Sequence, residues 1–145
     1  QGKQLIKLFN ESAAIGFLPA LRDAQYYVKL LVEKHGYQFD VVTSLSTNRY
    51  AQKLRKRNLE KLFGVNTFRK IKCLPTGADK DDYLKKHYDS AGYFWLEDKP
   101  ENAVAGQNVG LKPIIIEHGH NMDYKGDIPV LVNWEEIYEM IIDSE

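Results

Sequence analysis

Apolar positions recur along this chain with two alternating periods. Helical spacing brings Leu5, Leu8 and Phe9 onto one face, so Gln4 to Ile15 reads as a helix ended by Gly16. Pro19 stands at the start of a second helix, which carries Leu21, Ala24, Val28, Leu31 and Val32 on one side and stops at His35-Gly36. The pattern then tightens. "FDVVTS" is short, β-branched and apolar, and predicts a buried strand from about Phe39 to Thr43. Thr47 or Asn48 caps a long helix that reaches Phe63, with Gly64 just beyond. Arg69 to Leu74 reads as a strand closed by Pro75-Thr76-Gly77, Asp79 to Tyr88 as a short helix, and "YFWLED" as the next strand. Pro100 falls in the first turn of a further helix, where its missing N–H costs nothing. "KPIIIEHG" is another strand, Ile128 to Val132 a last one, and Trp134 to Ile142 a closing helix whose apolar stripe, Met140 included, reads as core.

Helices alternating with short apolar strands predict an α/β fold: a three-layer, Rossmann-like parallel sheet with helices on both faces. With 145 residues, 43% of them hydrophobic, residues 1–145 form a single domain. Ligands of such sheets bind beyond the carboxyl ends of the strands. The residues that matter are therefore Thr43-Ser44, Glu97-Asp98 and Glu117-His118, each at a strand end.

Charge changes the picture only locally. Lys+Arg and Asp+Glu each number 20, so the formal net charge is zero. From Arg49 to Lys72, however, there are nine basic residues and one acid, Glu60. Lys53, Arg55, Lys56, Arg57 and Lys61 recur around the outer face of one helix with no Trp or Phe between them for base stacking, which reads as a solvated face and argues against a nucleic-acid partner. The single cysteine, Cys73, excludes an internal disulfide and suggests a reducing, cytoplasmic setting; within a strand it reads as a small buried hydrophobe. No apolar run approaches the roughly 18 residues of a membrane span.

Chemistry concentrates at the strand ends. Thr43 and Ser44, ahead of a helix, suit phosphate binding, against the commoner role of turn and cap. Glu97 and Asp98 repel each other, and a half-buried pair needs a cation or several donors. A hard ion such as Mg²⁺ would satisfy it; the plain alternative is that Asp98 caps the next helix and Glu97 faces water. Lys80, at the start of a short helix, could offset both the carboxylates and a bound phosphate; Lys85 and Lys86 compete for that role from mid-helix. His118 and His120 lack a third ligand for zinc and read as part of a loop at the substrate rim.

A hydroxyl-ended strand ("VVTS"), a lysine at a helix start (Lys80) and an acid pair at the next strand end ("FWLEDKPENA") resemble, in that order, the second, third and fourth motifs of the haloacid dehalogenase (HAD) superfamily of phosphohydrolases. "EDK", His120-Asn121 and "NWEEIYEMI" look most similar to its 5'(3')-deoxyribonucleotidase-like branch. The resemblance runs from about Leu18 to the end. It implies that Thr43 and Ser44 bind the phosphoryl group, that Lys80 neutralises it, and that Asp98 ligates Mg²⁺ with support from Glu97. The activity implied is that of a Mg²⁺-dependent phosphomonoesterase working through an aspartyl phosphate on nucleotides or similar small phosphates, with a minimal cap between Lys3 and Pro19. The family's first motif, a strand ending in D-x-D that carries the nucleophilic Asp, has no counterpart here. The expectation is a strand about ten to fifteen residues long immediately upstream of Gln1. Without it, the chain would be a non-catalytic phosphate- or nucleotide-binding module or fragment.

Overall fold

The computed structural model describes residues 5–8, 18–44, 48–75, 80–97, 99–117 and 123–144, with the backbone alone at 5–8, 18–22 and 43–44. Its elements, in chain order, are β1 (Leu5–Leu8), α1 (Leu18–His35), β2 (Gln38–Ser44), α2 (Arg49–Phe63), β3 (Phe68–Leu74), α3 (Lys80–Tyr88), β4 (Phe94–Glu97), α4 (Pro100–Asn108), β5 (Lys112–Ile116), β6 (Val130–Leu131) and α5 (Trp134–Asp143). The six strands form one sheet in the order β3-β2-β1-β4-β5-β6, and every pairing is parallel. The order reverses at β1 and β4, which is where doubly wound sheets open a crevice at their carboxyl ends.

Alternation along the strands sorts the core onto two faces. Phe39 and Val41 of β2, Phe94 and Leu96 of β4, and Ile114 and Ile116 of β5 pack with Ala24, Val28 and Leu31 of α1, Leu59 of α2 and Trp134, Ile137 and Ile141 of α5. On the other face Val42 and Trp95 meet Leu84 and Tyr88 of α3 and Ala105 of α4. Trp95 is fully buried and its indole N–H donates to the Asn102 carbonyl at 2.9 Å. α4 can pass this close because it carries glycine there: a Cβ on Gly106 would collide with the Trp95 indole at Cδ1.

The local signals for the helices act as read. Asn48 caps α2 by accepting from the N–H groups of Tyr50 and Ala51 at 2.8 and 3.2 Å, and Gly64 closes it at φ 98°. Asn133 caps α5 through the Glu136 N–H at 2.9 Å. The Trp134 to Ile142 stripe is core, with Met140 half-buried against it.

One element departs from the sequence reading. The helix expected over Gln4 to Ile15 is replaced at Leu5–Leu8 by β1, paired in register with β2 (Leu8 beside Val41) and with β4 (Leu8 beside Leu96). Leu5, Leu8 and Phe9 satisfy helical spacing, but four residues are too few to reveal a strand, and hydrogen bonding on both sides outweighs a weak local preference. The rest of that expected helix lies outside the described residues. So does most of the segment expected to form a minimal cap. The position in the sheet beside β2 and β4 is thus taken by Leu5–Leu8. The last strand is also shorter than Ile128 to Val132, comprising Val130 and Leu131.

Candidate functional site

The site begins where β4 ends. Phe94, Trp95, Leu96 and Glu97 are all buried, and Glu97 has no exposed surface. The alternative in which Glu97 faces water is thereby overturned. Because side chains alternate, Glu97 lies on the face of Trp95, beneath α3. Lys80, the first residue of that helix and only 5% exposed, places Nζ 3.2 Å from Glu97 Oε2. The other carboxylate oxygen, Oε1, accepts from the Lys99 N–H at 3.4 Å. A buried carboxylate is tolerated when it is paired and hydrogen-bonded, and both conditions are met. Lys85 and Lys86, the competing lysines, are exposed.

Thr43 and Ser44 form the carboxyl end of β2, one strand beyond β1. β2 and β4 lie on either side of β1, about 10 Å apart across the sheet at two strand spacings; Val41 and Leu96 are both level with Leu8, so β2 runs two residues beyond the level of Glu97. A reacting group at the end of β1 would lie within about 5 Å of each neighbouring strand. The N-terminus of α3 opens toward the same end, where the helix dipole favours an anion. Asp98, His118, His120 and Asn121 lie outside the described residues. Among the described residues no three His, Cys, Asp or Glu side chains gather to hold a metal. Both oxygens of Glu97 are already engaged, by Lys80 and by the Lys99 N–H.

A second buried charge had no advance signal. Asp40 is fully buried in β2 and takes a two-pronged bond from Arg69, Nε to Oδ1 at 3.0 Å and Nη2 to Oδ2 at 2.5 Å. The Tyr88 hydroxyl also donates to Oδ2, at 2.8 Å. Burial first, and then this bond to a carboxylate, push the Tyr88 phenol far above its usual range. The Asp40 bond raises the Arg69 pKa further. Asp40 lies four residues before the end of β2, well below the rim, so its network is structural. Its place at the start of an apolar run made it look peripheral in the sequence; its partners come from residues 29 and 48 positions away.

Cys73 also departs from its expected burial. It is half-buried and, with Ile71 and Lys72 of β3, lines a cavity of about 390 Å³ against Arg49, Gln52, Lys53 and Lys56 of α2. Among the described residues β3 is an edge strand, with no strand on its outer side.

No family model and no curated protein matches the chain. Among solved structures it is similar to the crystal structure of D,D-heptose 1,7-bisphosphate phosphatase from Burkholderia thailandensis, with a TM-score of 0.64 and 14% identity over 97% of this chain and 99% of that one. A likeness at that identity establishes the fold. The three-layer, HAD-like α/β class expected from the sequence is the fold of this protein. Among the described residues no helix is long and apolar enough to cross a membrane.

Proposed function

We propose that this domain is a phosphomonoesterase of the HAD type acting on nucleotides or similar small phosphates. The observation that carries the reading is the buried Lys80–Glu97 pair at the carboxyl end of β4, beside the point where the strand order reverses. Lysine is rarely buried without cause, and this one lies at the helix start and strand end where a phosphoryl group would be bound. The structural neighbour, itself a bisphosphate phosphatase, agrees with phosphate chemistry in this fold.

In this reading Lys80 holds positive charge against the phosphoryl oxygens while Glu97 fixes its position. The N–H groups at the start of α3 and the end of β2 at Thr43-Ser44 complete the phosphate cradle. Mg²⁺, held by Asp98 with Glu97 in support, would supply further charge neutralisation. The phosphoryl group passes to an aspartate as the alcohol leaves with a proton, and water then cleaves the acyl phosphate, releasing inorganic phosphate and restoring the carboxylate.

That aspartate belongs at the end of the strand between β2 and β4. The first Asp in the sequence is Asp23, in α1, and Phe9-Asn10-Glu11-Ser12 after β1 contains none. That position is occupied by β1 itself, so in this reading the chain's own contribution is the phosphate and metal site formed by Thr43, Ser44, Lys80, Glu97 and Asp98.

The test is a phosphate-release screen over nucleoside monophosphates with and without Mg²⁺, beside a binding assay for the same esters. Mg²⁺-dependent release that Asp98→Asn abolishes is the expected result. Release that ignores Mg²⁺ or survives Asp98→Asn refutes the mechanism, and binding without turnover favours the non-catalytic module.

A further inference from the structure

We infer that the cleft between α2 and β3 is a binding groove for single-stranded nucleic acid, held through its phosphate backbone. This does not depend on the phosphatase reading. Arg49, Gln52, Lys53 and Lys56 recur at intervals of three and four residues and so form one stripe along α2. The stripe faces Ile71, Lys72 and Cys73 on the uncovered edge of the sheet. Four of these seven lining residues are cationic and none is acidic, in a chain whose total charge is zero.

The cavity does not end there. A smaller one of about 160 Å³ shares Lys56 and Ile71 with it and continues past Arg69 and Lys70 to Glu60. From Arg49 to Glu60 the groove follows α2 for about 16 Å at the helical rise. That length suits several successive phosphates, and a mononucleotide would occupy only part of it. One carboxylate, Glu60, stands at the far end.

The sequence favoured a solvated convex face for these cations, because periodicity cannot show what lies opposite a helix. The structure places an open sheet edge there and makes the face concave. Focusing of like charge in a cleft raises the local concentration of anions. Aromatic support is sparse: Phe68 lines the smaller cavity, and Tyr50, 73% exposed, follows Arg49 in sequence. Recognition should accordingly be sequence-independent and strongly salt-dependent. The upper end of the groove opens at Cys73, in register with Thr43, so a strand lying in it would direct one end toward the carboxyl edge of the sheet.

Fluorescence anisotropy with a labelled oligothymidylate of about 12 nucleotides, titrated at several salt concentrations, tests this. The three cations of the α2 stripe, Arg49, Lys53 and Lys56, predict a slope of log K against log salt near −2.1, at about −0.7 per phosphate contact on a single strand. The Lys53→Gln/Lys56→Gln double variant should lower the slope to about −0.7 and weaken binding at low salt by tenfold or more. The charge-matched Lys29→Gln/Lys34→Gln variant on α1 should leave both unchanged; these four lysines are exposed, so circular dichroism should report intact folds. Equal loss in both doubles would mean diffuse attraction and overturn the groove. Displacement by tripolyphosphate as effective, per phosphate, as by unlabelled oligothymidylate would assign the cleft to a small polyphosphate and overturn the nucleic-acid proposal.

Discussion

The Lys80 ammonium and the Glu97 carboxylate stand 3.2 Å apart, joining the first residue of α3 to the last residue of β4 inside the protein. Removing one partner leaves the other charged and desolvated. Lys80→Met is expected to destabilise the fold by about 3–5 kcal/mol in urea or guanidinium unfolding. Adding Glu97→Gln to that variant should recover a large part of the loss. Equal destabilisation in single and double variants would show that Glu97 is held by other donors.

The Asp40 network has a pH signature. Tyr88 has a phenol pKa above its ordinary value of 10 in the folded state, so its contribution is complete below pH 10 and is lost as the pH rises, because the unfolded chain gives up its proton first. Stability of the parent should fall from about pH 10 upward more steeply than that of Tyr88→Phe. At neutral pH the same variant should cost about 1–2 kcal/mol, since Asp40 keeps Arg69 and loses one donor. Parallel pH profiles of parent and variant would contradict this.

Gly106 is required for space. A methyl group would press into the Trp95 indole, which is fully buried and anchored to Asn102. Gly106→Ala should lower stability by about 1–3 kcal/mol despite the better helix propensity of alanine, with a change in near-ultraviolet circular dichroism from Trp95. A gain in stability would mean that α4 can move away from the sheet.

The alternation of helices and strands was legible because the pattern is local: "FDVVTS", "FWLE" and "PIII" are apolar runs too short to be helices, and Asn48, Gly64 and Pro100 mark helix ends through their own chemistry. The pairing of Lys80 with a strand-end acid was anticipated on electrostatic grounds, although Asp98 had been weighted equally. Leu5–Leu8 was misread because its strand character comes from neighbours on both sides. Asp40 was passed over because a lone acid at the start of a strand looks solvated until Arg69 and Tyr88 are placed around it. The α2 cleft was hidden for a similar reason, as concavity arises between elements and not within one.

α3 bonds a buried carboxylate at each end: Lys80 reaches β4, and Tyr88 reaches β2. Those are the two strands on either side of β1, so the helix lies across it as a strap whose fastenings omit what it covers. The two halves of the sheet are thus clasped twice, by the ladders of β1 and by a helix that grips a buried carboxylate in each half.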